Sequence, residues 1–417
     1  MTWEQPDSMS TIRPLLCAVV YAAGAVAIAR PCAAAAAGEP GPRAADAVHL
    51  CSVSSAQQLA QLTPLVMQVA NRPVPFKGGD GRYHLAYELN LENLAGDRVR
   101  VDNVQVLDAH TGVPLAVLDA AMIAARLVVR DRQATAGEFG ASQIGILYLH
   151  VLVDEPAAIP RTISHRLTTT SKEQSVAATA GCTSVAPPTG LVLEAPLRGT
   201  RYVAGDGCCD STRHVRATLP LNGTAYGAQR FAIDWEQLDA QDRIYVGDPK
   251  QPSSYAIYGK PAYAVADARV IAAVDGMADS PIGSLPNLPP DKADGNHVIL
   301  ALGNGRFALY AHFKPHSLQV REGQSVRRGQ LLGLVGTSGN SSEPHLHFQV
   351  TDGPSALMSN GVPYLLREFG ATRRGSSTAA YDKATTDGKP MEIVPLAGPA
   401  KHQHELPLDL WITDLPE

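Results

Sequence analysis

Pro344-His345-Leu346-His347-Phe348-Gln349-Val350 is the stretch on which the reading of this chain turns. Side chains two apart on a β-strand share a face. His345 and His347 therefore project together, while Leu346, Phe348 and Val350 point into a core. Two imidazoles side by side suit a metal ligand and a catalytic neighbour. Just upstream, Leu309-Tyr310-Ala311-His312 closes another β-patterned segment and supplies a third histidine. Phe231-Ala232-Ile233-Asp234-Trp235 sets one carboxylate among apolar residues, where an unpaired charge is expensive and a cation would satisfy it. The polar turn from Gly336 to Ser342 leads into the histidine strand, and no lysine-plus-helix signal follows to make it a phosphate cradle.

Further out, Tyr83, Leu85, Tyr87, Leu89 and Leu91 alternate with more polar residues, the period-two pattern of a half-buried strand. Val99, Val101, Val104 and Val106 follow, and Ile144 to Val153 is again apolar and β-rich. These short strands predict an all-β chain opening with an Ig-like antiparallel β-sandwich over residues 45–166. His84, His150 and His165 read as surface or strand-pairing residues there, not as ligands. Residues 167–190, rich in Thr, Ser, Ala and Pro, read as a linker. The loop from Asp275 to Gly295 contains Pro281, Pro286, Pro289 and Pro290 and reads as an irregular wall beside a cleft. The polar extension 371–417 is expected to pack back through Trp411.

A chain of 417 residues has room for two or three domains. Its formal charge of -5 carries no basic stripe, so no nucleic-acid partner is expected. Arg13, the apolar run Pro14 to Ala29 and the small residues Ala33 to Gly38 read as a secretory signal over residues 1–38. A secreted or periplasmic protein follows, with no stable membrane span after signal removal. Of the six cysteines, Cys17 and Cys32 would leave with the signal. Cys208 and Cys209 are adjacent, and pairing with Cys51 and Cys182 is expected over a bond between the two. No CxxC spacing supports a cysteine-only zinc site.

Taken in order, the motifs resemble the lysostaphin-type (LytM-like) zinc endopeptidases of peptidoglycan. The matching pieces are Phe231 to Trp235, Gly259 to Val270, Gly295 to Leu300, Tyr310 to Phe313, Val320 to Gln330, the Gly336 turn and His345-Leu346-His347. The resemblance implies an antiparallel β-sheet peptidase domain with an open groove over residues 191–370. It also implies Zn2+ on Asp234 and His347, with His312 and His345 as the catalytic pair, and a peptidoglycan peptide as substrate. The chain is expected to act as a monomer. One position departs from the pattern: the usual zinc-binding histidine four residues before the aspartate is Arg230 here, and a guanidinium cannot ligate a metal. His214 is the leading replacement, because a hairpin turning at Asn222-Gly223 would return it toward Asp234. His297 and His316 are weaker candidates. The alternative is an inactive relative that binds peptidoglycan or activates another hydrolase.

Overall fold

The computed structural model describes residues 62–129 and 137–417. The signal reading and the cysteines at 17, 32 and 51 lie outside the described residues. The described residues form one compact unit, made mostly of β-strands.

In its N-terminal part, two five-stranded sheets share one apolar core. The strand Tyr83–Asn93 buries Leu85, Tyr87, Leu89 and Leu91 against the facing sheet, as its alternation predicts. Its other face is not solvated. His84, Ala86 and Glu88 are buried too, because this side packs on the C-terminal part, where Phe76 and Ala86 join the larger core.

The linker reading of 167–190 needs correction. Thr162–Ser171 and Gln174–Ser184 are long antiparallel strands of that second sheet. Lys172 and Glu173 form their tight turn with positive φ values of 47° and 66°. Ile163, His165, Leu167 and Thr169 are all buried at period two, so β-branched threonine here serves a strand and not a tether.

The C-terminal part is built on a 12-stranded sheet. At its centre the order is Gly199–Gly205, Ile233–Gln237, Leu346–Thr351, Arg306–Ala311, His297–Gly303 and Ala268–Val274, all antiparallel neighbours. Leu346, Phe348 and Val350 are fully buried with Ile233, Trp235 and Tyr310. The tail is more than a cover. Trp411–Leu415 is inserted between Gly199–Gly205 and Leu365–Gly375, and Trp411 joins the core.

Candidate metal centre

Strand register assembles the centre. Asp234 pairs directly with His347, which is flanked on its other side by Ala311, next to His312. Ile233 and Trp235 fill the core on one face, so Asp234 is left on the other with the two histidines of the His345-Leu346-His347 run. His347 Nδ1 lies 2.8 Å from Asp234 Oδ1, and His345 Nε2 lies 3.5 Å from the same oxygen. His214 arrives from the segment preceding a two-residue hairpin, Leu219–Leu221 with Thr224–Tyr226, whose turn residues Asn222 and Gly223 both have positive φ. Its Nε2 is 3.2 Å from Asp234 Oδ2. His214, Asp234 and His347 each bring a ligand atom within 4.8 Å of the others. The ring of His312 sits 4.7 Å from that of His345 and 5.9 Å from that of His347.

Hydrogen bonds on the outer side of each ring fix its tautomer. His214 Nδ1 donates to the Asp206 carbonyl at 3.1 Å, His312 Nδ1 to Ser338 O at 2.7 Å and His345 Nδ1 to Glu343 O at 2.8 Å. His347 is turned the other way: its Nε2 donates to Gln349 Oε1 at 2.8 Å. The amide of Gln349 cannot be flipped, since its Nε2 donates to Ala356 O. All four neutral rings thus aim a lone pair inward, around a carboxylate that only accepts. The inward side has acceptors and no donor, which is the demand a cation meets.

Titration behaviour agrees. Burial would raise the Asp234 pKa, but the imidazoles of His214, His345 and His347 hold it well below the carboxylate range. His214 is opposed by burial yet lifted to about 9 by Asp234, so without a metal a proton takes the cation's place. Burial, reinforced by His345 and His347, pushes His312 well below the usual imidazole value.

The centre floors a cavity of about 680 Å³. Leu285 and Asp294 of the Pro-rich loop line one side, and Asn340 and Glu343 of the glycine turn another. That loop carries one 3-10 turn, Pro290–Lys292, within its irregular course. Gly339 is required where the two walls touch: its φ is +81° and a Cβ would fall 2.4 Å from Gly295 N. A further wall was not foreseen. The helix Thr378–Asp387, capped by the Ser377 side chain, brings Tyr381 and Asp382 to the rim.

Arg230 points away from the centre. Its Nε donates to Glu88 Oε1 at 2.6 Å and its Nη2 to Glu88 Oε2, a buried bidentate pair joining the two parts of the chain. His297 is half-buried with its Nδ1 on Gly295 O, and His316 is exposed; neither joins the group around Asp234. The expected disulfide pattern also changes. Cys208 and Cys209 are bonded to each other across a cis peptide, and Cys182 is disulfide-bonded as well. Sequence reasoning overlooked Gln349, which a period-two count from His347 would have placed on the same face.

A half-buried carboxylate ringed by inward-facing imidazoles, at the floor of a groove, defines a candidate metallohydrolase centre. Residues 254–359 match Peptidase family M23. That match includes His312, His345 and His347 and begins after His214 and Asp234, whose place rests on geometry. The chain is 37% identical over 71 residues to the peptidoglycan DD-endopeptidase ShyA of Vibrio cholerae serotype O1, covering 16% of each protein. It is 44% identical over 55 residues to the DD-carboxypeptidase/endopeptidase Mpg of Neisseria meningitidis serogroup B, covering 13% of this chain and 12% of that protein. The matched segments are thus a small part of these relatives' lengths. The catalytic domain of lysostaphin from Staphylococcus simulans aligns at 20% identity over 38% of this chain and 88% of that one, with a TM-score of 0.22, at which the superposition carries no weight.

Proposed function

We propose that the chain is an exported zinc-dependent endopeptidase that hydrolyses peptide crosslinks or stem peptides of peptidoglycan, its N-terminal sheets forming an Ig-like β-sandwich. The supporting observation is the convergence of inward lone pairs from His214 and His347 on the Asp234 carboxylate. These three residues would hold the metal. Zinc bound there would supply Lewis acidity and would lower the pKa of a water to about 7. His312 and His345 would then act through their free Nε2 atoms: one takes the water's proton and, as the imidazolium, passes it to the leaving amine, while the other donates a hydrogen bond to the developing oxyanion once it is itself protonated. The carbonyls of Ser338 and Glu343 hold both rings in the orientation this needs. His214 takes the place of the usual histidine, since Arg230 is committed to Glu88.

Zinc content of the purified protein tests the reading, alongside release of peptide fragments from isolated peptidoglycan. About one zinc per chain is expected, with strong reduction in both His214→Ala and His347→Ala. Full occupancy in His214→Ala would remove that residue from the ligand set. A zinc-loaded protein that leaves peptidoglycan peptides intact would remove the peptidase.

A further inference from the structure

A second histidine cluster lies outside the groove and is unused by the chemistry above. His84, on Tyr83–Asn93, and His150, on Ile144–Val153, belong to adjacent strands of the N-terminal sheet. Their rings lie nearly coplanar, 18° apart, with His84 Nδ1 2.9 Å from His150 Nε2. Each ring's other nitrogen meets a carboxylate: His84 Nε2 with Asp80 Oδ1 at 2.9 Å, and His150 Nδ1 with Asp210 Oδ2 at 3.0 Å. Arg126 holds the second oxygen of Asp210 at 2.6 Å. Carboxylates only accept, so both rings donate outward and leave two lone pairs face to face. One cation must sit between them, either a proton or a metal.

The surroundings favour a metal. A carboxylate behind each imidazole is the usual support of a metal-bound histidine. Cys209 contributes a third ligand atom within 4.8 Å of the two histidine nitrogens, and it is buried. A cavity of about 480 Å³, lined in part by Asp80, Asp210 and Trp411, gives access. Tetrahedral zinc with bonds of about 2.0–2.1 Å sets its nitrogens roughly 3.3 Å apart, a few tenths of an ångström from the present spacing.

We propose that His84, His150 and Cys209 form a second metal site, for Zn2+ or a cation of similar softness, completed when the Cys208–Cys209 disulfide is opened by a dithiol. The dithiol supplies two electrons and two protons and becomes a disulfide itself. The S–S bond breaks, Cys208 keeps one proton as a thiol, and the metal displaces the other from Cys209. Imidazole and thiolate together select such a cation over Mg2+ or Ca2+. The site joins the two parts of the chain and lies on the segment that leads to His214. It stands whether or not the groove is a peptidase.

Cobalt(II) titration of the metal-free full chain under anaerobic conditions tests it, because thiolate-to-cobalt charge transfer reports sulfur ligation and the groove has no sulfur ligand among the described residues. Cys208→Ser leaves Cys209 as a free thiol without any reductant. This variant is expected to show the charge-transfer band, saturating by about two equivalents because the groove takes up cobalt as well. Cys209→Ser, which frees Cys208 instead, is expected to lack it. In the Cys208→Ser background, Asp210→Asn should weaken cobalt binding about 10–100-fold and His84→Ala at least as much. Asp234→Ala should leave the band unchanged. Untreated wild type should lack the band and gain it after dithiol treatment and desalting, which also serves if Cys208→Ser fails to fold by circular dichroism. Absence of the band in the opened protein overturns the site. So does equal intensity in Cys209→Ser, or indifference to both His84→Ala and Asp210→Asn.

Discussion

The two histidine clusters solve the same problem with different materials. Around Asp234, the outer nitrogens are held by the carbonyls of Asp206, Ser338 and Glu343 and by the amide of Gln349, and ligand spacing follows from strand register. At His84 and His150 the outer partners are the carboxylates of Asp80 and Asp210, and the third donor sulfur is tied up in a disulfide. The first arrangement is complete as the chain folds, whereas the second is conditional. His165 marks the contrast from the other side. Its Nδ1 donates to Gly181 O and its Nε2 accepts from the Tyr87 hydroxyl, so its one lone pair meets a donor and no cation is called for.

The sharpest way to separate ligands from catalytic groups is to change His312 and His345 individually to Gln. Each is expected to lower kcat by about 10²–10⁴-fold while zinc content stays near that of wild type; loss of the metal in either would move that residue into the ligand set. Arg230→Leu should cost about 3–5 kcal/mol of stability, because Glu88 is left buried and unpaired. Denaturant midpoints measure the loss, and retention of zinc by the folded variant would confirm that Arg230 serves the junction and not the metal.

His165 offers a pH test of the tautomer argument. Burial lowers its pKa to about 4, below that of the unfolded chain. A depressed histidine is neutral when folded, so stability is lost as pH falls from about 6.5 toward 4, by up to roughly 3 kcal/mol. Urea titrations across that range should show the decline, and His165→Gln should flatten it. The smallest effect is expected at the edge of the centre. Gln349→Leu removes the acceptor that keeps Nδ1 of His347 free, and should weaken zinc about 10–100-fold in competition with a chelator.

The centre was legible in sequence because its parts are periodic. The alternation through His345 and His347, the apolar neighbours of Asp234 and the Asn222-Gly223 turn are local signals that the strands obey. What escaped was whatever depends on distant partners. His84 and His150 looked like ordinary strand residues because Asp210 and Cys209 come from another part of the chain. The stretch after Leu167 looked like a tether because its threonines match linker composition, and only the apolar face opposite reveals a strand. Arg230 looked like a defect in the ligand set until Glu88 explained it.

The inserted strand Trp411–Leu415 has a consequence for biosynthesis. Gly199–Gly205 pairs on one side with the strand bearing Asp234 and on the other with Trp411–Leu415. A nascent chain halted near residue 400 would hold every side chain of the groove floor yet leave Gly199–Gly205 as a raw sheet edge one strand from the carboxylate. The strand bearing Asp234 would therefore rest on an unsupported neighbour until those closing residues pair.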